Sequence, residues 1–191
     1  MKIDPFKFWH YSYSNFIENA NRGALAEYIV ASALGVSKSP FSSWESYDLE
    51  SHSGIKIEVK ASGYLQAWHQ NRESMPTFGI GKKQGWDSEK NDFDRVLSRH
   101  ADVYVFCLHH ERGIKPSMNA TEQVELKQRT NPLDTMHWTF WVVPTGLINS
   151  KLTNQKSIRI STIEKVLNIS AIGYEAISQE IARIEALHRK S

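Results

Sequence analysis

Residues 55–60 alternate strictly: Ile55, Ile57 and Val59 are apolar, and Lys56, Glu58 and Lys60 are charged. A two-residue period is that of a strand, so the apolar set faces a core while Glu58 and Lys60 project together from the other face, left free for chemistry. The aromatic-rich run 44–49 predicts a preceding strand, and Ser51-His52-Ser53-Gly54 supplies the turn that folds the two back on each other. Asp48 would then lie near Glu58. Upstream, residues 21–35 predict a helix with the apolar stripe Ala26, Ile29, Val30, Ala33 and Leu34, stopped by Gly35. Glu27 lies on the border of that stripe, in a row with Gly23, Val30 and Leu34, and so points towards the sheet. A carboxylate placed there needs a partner, either a cation such as Arg22 or the metal of a functional site.

Beyond Lys60, residues 61–70 form a polar and aromatic cluster; a helix there would put Gln66 and Gln70 on one face, with Leu65 and Trp68 inward. Residues 76–100, with Gly79, Gly81 and Gly85, predict a strand end and then a substantial loop able to border a groove. The runs 102–109 and 137–143 read as buried strands, the second stopped by Pro144, and the polar stretch 111–134 between them as a loop or insertion. A short helix over 145–152 and a strand over 157–161 follow. Residues 169–188 form an amphipathic helix through Ile172, Ala176, Ile177, Ile181 and Ile184, a stripe that either caps the sheet or joins two copies as a homodimer. The aromatic opening, 6–13, predicts an arm packed over the core, with stacking on bases as the alternative. No repeat, low-complexity block or long linker divides the chain, so residues 1–191 read as one domain.

Composition narrows the setting. A chain of 191 residues, 40% hydrophobic, is long enough for one packed core. A net charge of +2 does not by itself announce a nucleic-acid binder, although basic residues can cluster on one face. Lys82, Lys83 and Lys90 fall on the loop beside Glu58 and Lys60, each expected as a solvated charge. One cysteine, Cys107, excludes an intramolecular disulfide framework and fits a reducing compartment; it lies in an apolar run and reads as a small buried hydrophobe. The opening residues lack the apolar core of a secretory signal and no segment is a continuous apolar span, so a cytoplasmic location without a membrane partner is expected. The histidines, His109 and His110 included, show no zinc-ligand spacing.

Two carboxylates and an ammonium from adjacent strands suit phosphodiester hydrolysis, in which carboxylates hold a divalent metal and a lysine orients water or offsets developing charge. The plain alternative is a solvated strand face with an exposed ion pair of small energy. Helix Glu27, strand Asp48 and Glu58-Val59-Lys60, in that order, resemble the PD-(D/E)XK nuclease superfamily over roughly the first third of the chain. The resemblance implies an α/β, restriction endonuclease-like three-layer core, a central mixed sheet flanked by helices, with the order helix, three strands, helix and strand. It also implies Asp48, Glu58, Glu27 and the Val59 carbonyl as ligands of Mg2+, with Mn2+ as substitute. Lys60 would be the catalytic lysine, and Gln66 would contact a scissile phosphate or position water. Tyr47 stands where the name-giving pattern has proline. The expected activity is nuclease cleavage, with DNA favoured over RNA. The competing expectation is a non-catalytic nucleic-acid-binding or protein-interaction module on the same fold. No phosphate-binding glycine loop or serine-histidine or cysteine-histidine pattern favours a small-molecule enzyme.

Overall fold

The computed structural model describes residues 2–36, 46–87, 92–93 and 96–188. In chain order the elements are α1 (Pro5–Tyr13), α2 (Asn19–Leu34), β1 (Leu49–Glu50), β2 (Lys56–Gly63), β3 (Thr77–Gly79), β4 (Trp86–Asp87), β5 (Asp92–Phe93), β6 (Val103–His109), α3 (Ala120–Arg129), β7 (Trp138–Pro144), α4 (Thr145–Lys151), β8 (Ser157–Arg159), α5 (Ile160–Lys165) and α6 (Ile177–His188). The protein is mixed α/β. A four-stranded sheet runs β1-β2-β6-β7, parallel between β2 and β6 and antiparallel at its other two pairings. Two-stranded pairings of β3 with β8 and of β4 with β5 lie beside it.

The two-residue period sorts side chains onto two cores. Ile57 and Val59 of β2, Val103, Val105 and Cys107 of β6 and Phe140 and Val142 of β7 pack against Ala26, Ile29 and Val30 of α2 and Ile177, Ile181 and Ile184 of α6. Tyr104, Phe106 and Leu108 point the other way, against Phe78 of β3, Ile158 of β8, Ile148 of α4 and Ile163 of α5. Each fully buried Ile or Phe contributes about 1.5–3 kcal/mol of transfer free energy. Helix α2 begins where the Glu18 carboxylate accepts the N–H groups of Ala20 and Asn21, and ends at Gly35, whose φ of 66° is the left-handed closure glycine favours.

Several expectations change. The strand expected over 44–49 is ordered as β1 only at Leu49–Glu50, and positions 44 and 45 lie outside the described residues. Residues 64–70 are not helical, and side chains take their carbonyls in place of helical N–H groups: Arg22 Nη2 donates to Leu65 O (2.7 Å), and Gln70 Nε2 to Tyr64 O (3.1 Å). The stretch 111–134 is more than a loop, since it carries α3. That helix rests on a capping box, Asn119 with Glu122, and on Gln123, not on an apolar stripe, so periodicity could not reveal it. The strand expected to Ser161 gives way to α5 at Ile160. The last helix starts at Ile177, since Ile172 exchanges two backbone hydrogen bonds with Phe140 and so extends the sheet. Its stripe of Ile177, Ile181 and Ile184 caps the sheet within one chain, the first of the two placements expected for it. Helix α1 has no buried residue; Phe6, Trp9 and Tyr11 are exposed, and the aromatic opening does not pack over the core.

The strands of the main sheet occur with α2 and α3 in the order α2, β1, β2, β6, α3 and β7, with β3, β4 and β5 between β2 and β6. Helix α3, however, meets a small separate cluster, with Leu126 against Ile17, Leu65 and Ile114. Among the described residues, the crossover between parallel β2 and β6 carries β3, β4 and β5 in place of a helix. No described helix is long and apolar enough to cross a membrane.

Candidate active site

The pairing of β1 with β2 brings the proposed acidic residues together. Leu49 faces Ile57 in the register, and one residue earlier the Asp48 N–H donates to Ile57 O (3.0 Å). The Asp48 carboxylate then accepts the Val59 N–H at Oδ2 (2.7 Å), tying the acidic side chain to the strand that carries Glu58 and Lys60. Val59 thus meets Asp48 through its amide, whereas the expected metal contact was its carbonyl. Lys60 Nζ lies 2.6 Å from Glu58 Oε1 and 3.9 Å from Asp48 Oδ2, so one ammonium joins both carboxylates.

The face bearing Glu58 is not free. Glu58 is only 2% exposed. A second ammonium, that of Lys83, sits 2.9 Å from Oε1 and 3.2 Å from Oε2. Lys83 is held there by its backbone, which exchanges hydrogen bonds with Ser98 (2.9 and 3.1 Å), and by His100 Nε2 against Lys83 O (3.0 Å). It had been expected as a solvated charge, and its pairing with Glu58 has no signature in local spacing. Lys82 is exposed, and Lys90 lies outside the described residues.

Burial raises the pKa of Asp48, and the Glu58 charge raises it further, against the opposing pull of Lys60, the Val59 N–H and Lys83. The same surroundings act on Tyr104, the register partner of Glu58 on β6: burial first and then Glu58 push its hydroxyl up. Two carboxylates and two ammoniums therefore share a partly desolvated pocket in which a negative charge on Asp48 is disfavoured.

Glu27 and Gln66 come from outside the β1–β2 pair. Glu27 is half-buried on α2, which packs on the face opposite that of Glu58 and Lys60, and it lines a cavity of about 800 Å³ with Tyr28 and Leu49. Its charge, with that of Asp48, adds to the burial that raises the Cys107 thiol pKa. Arg22, the cation considered for Glu27, is buried against the carbonyls of Ile17 and Leu65, and desolvation lowers its pKa to about 10. Gln66 is buried; its Nε2 donates to Gly63 O (2.9 Å), its N–H donates to Gln70 Oε1 (2.7 Å), and its Oε1 has no hydrogen-bond partner. Gln66 thus braces the chain after β2, and Oε1 is the atom it has left to offer.

A second group was missed by spacing. His110, Glu111 and His137 place one ligand atom each within 4.8 Å of one another. The two histidines come from different strand ends 27 residues apart in number, so only the β6–β7 register could have revealed the grouping. Comparison with known proteins returned no matching family model and no matching curated protein.

Proposed function

We propose that the chain is a metal-dependent nuclease that hydrolyses phosphodiester bonds in nucleic acid, with DNA favoured over RNA, and that its three layers are a restriction endonuclease-like core. The observation that carries this reading is the convergence of Asp48 and Glu58 on the Lys60 ammonium. Two carboxylates in a pocket that already draws in two ammoniums suit Mg2+, which takes oxygen ligands and keeps several waters, with Mn2+ as substitute. Such a cation supplies polarisation of a phosphoryl oxygen and acidification of water. Asp48 and Glu58 would hold it, with Glu27 and the Val59 carbonyl as further oxygen donors. Lys60, 32% exposed at its side chain, can turn its ammonium to water or to the charge growing on phosphate. Lys83 offers a second positive charge to the backbone of the substrate. For Gln66, contact with a phosphate through its amide nitrogen would require release of Gly63 O. A cytoplasmic setting suits the single buried thiol.

A second reading draws on the near-complete burial of Glu58 between two lysines: a non-catalytic nucleic-acid-binding or protein-interaction module in which the cluster is a structural ion-pair network. Cleavage of duplex, branched and single-stranded DNA and RNA with Mg2+ or Mn2+ separates the two. In the nuclease, Asp48→Asn and Lys60→Ala lower turnover by about 100-fold or more while binding largely survives. No cleavage by the wild type across that panel, or unimpaired cleavage by both variants, would overturn the mechanism.

A further inference from the structure

The end of β6 and the start of β7 hold a donor set unlike that of the carboxylate cluster. β6 and β7 pair antiparallel with His109 opposite Trp138, and the His110 N–H donates to His137 O (3.0 Å), fixing the two histidine backbones as cross-strand neighbours. Glu111 follows directly, and its Oε1 meets His137 Nδ1 at 2.5 Å. All three side chains are half-buried. Each ring also has a second polar neighbour. His110 Nδ1 is 3.0 Å from Thr139 Oγ1, which leaves Nε2 as its free nitrogen, and His137 Nε2 lies 3.9 Å from Asp134 Oδ2, so its Nδ1 edge faces Glu111. A hydrogen-bonded outer partner such as Thr139 selects the tautomer and orients the ring of a metal-ligating histidine.

We propose that His110, Glu111 and His137 form a binding site for a zinc-class divalent ion, separate from the Asp48 and Glu58 cluster. Two imidazoles and a carboxylate match the three-ligand zinc set whose fourth position is open to water, whereas Mg2+ prefers oxygen donors alone. Ligand atoms on a tetrahedral zinc stand about 3.4 Å apart, so a group already within 4.8 Å needs to close by little more than an ångström. The contact sets an imidazole nitrogen of His137 beside a carboxylate oxygen of Glu111, and a zinc-class ion would take both as ligands, releasing any proton that the nitrogen carries. The site lies at the base of the connection carrying α3, six residues along β6 from Tyr104, the register partner of Glu58, and so roughly 20 Å from Glu58 at strand rise.

The test is titration of the chelator-stripped full chain with ZnCl2 by calorimetry, and with CoCl2 by visible absorption, in excess MgCl2 so that oxygen-preferring sites are occupied. One equivalent should bind with a Kd below about 10 μM, about −7 kcal/mol. His110→Ala and His137→Ala should each weaken it at least tenfold, and Thr139→Val, which leaves every ligand in place, by about 10- to 100-fold. Circular dichroism of each variant verifies the fold; if either alanine variant fails it, Glu111→Gln takes its place with the same tenfold criterion. Binding weaker than that Kd, or a variant of His110, Glu111 or His137 that binds Zn2+ within tenfold of wild type, would overturn the site.

Discussion

Lys83→Met tests whether the second ammonium on Glu58 stands where a metal would act. The substitution keeps an unbranched stem and removes a charge 2.9 Å from Glu58 Oε1. Hydrogen bonds to charged groups contribute about 1.5–3 kcal/mol, and stripping a buried ion of its partner costs more. Here the cost is smaller. Lys60 remains 2.6 Å from the same oxygen, and Lys83 is 44% exposed, so water screens much of the pair; about 1 kcal/mol of lost stability follows. Because the ammonium competes for the carboxylate that would take a divalent cation, the same 1 kcal/mol returns as tighter metal binding, about fivefold. Urea unfolding with and without MgCl2, together with Mg2+ titration, measures both terms. The variant should be less stable than wild type in EDTA, and the gap should narrow as Mg2+ is added. An equal deficit with and without Mg2+, or weaker Mg2+ binding by the variant, would show that Lys83 and the metal do not contend for Glu58 and would refute the reasoning.

Two further outcomes follow from burial. In metal-free protein, Asp48→Asn should raise stability at neutral pH: the folded state raises the Asp48 pKa, so the folded protein holds that proton more tightly than the unfolded chain, and wild type loses stability as pH rises through the carboxylate range. Asparagine keeps an oxygen for the Val59 N–H, and its advantage in thermal melts should vanish in acid; a variant less stable than wild type at pH 7 would contradict the electrostatics. Ile181→Ala should cost about 2–5 kcal/mol, because Ile181 is 1% exposed between α2 and the sheet. Sedimentation should show no change of oligomeric state, whereas dissociation of a dimer would place that stripe at an interface between copies.

What local pattern could reveal was the β2 alternation, the α2 stripe with its glycine stop, and the strands around Phe106 and Trp141, since in each case burial repeats with the period of the element itself. The pairing of Asp48 with the Glu58 strand was legible for the same reason: a short turn joins near neighbours in sequence. Helix α3 was not legible, because its order comes from Asn119 and Glu122 capping one another and from Gln123 exchanging hydrogen bonds with Gln70, polar contacts that leave no apolar period. Long-range convergence escaped for a deeper reason. Lys83 reaches Glu58 only because Ser98 pins its backbone, and His110 meets His137 only because the β6–β7 register sets them side by side. In both cases the chemistry depends on a backbone pairing between segments far apart in sequence, so the same lysine that a linear reading assigns to solvent becomes, once Ser98 fixes its backbone, a counter-charge on the most buried carboxylate of the candidate site.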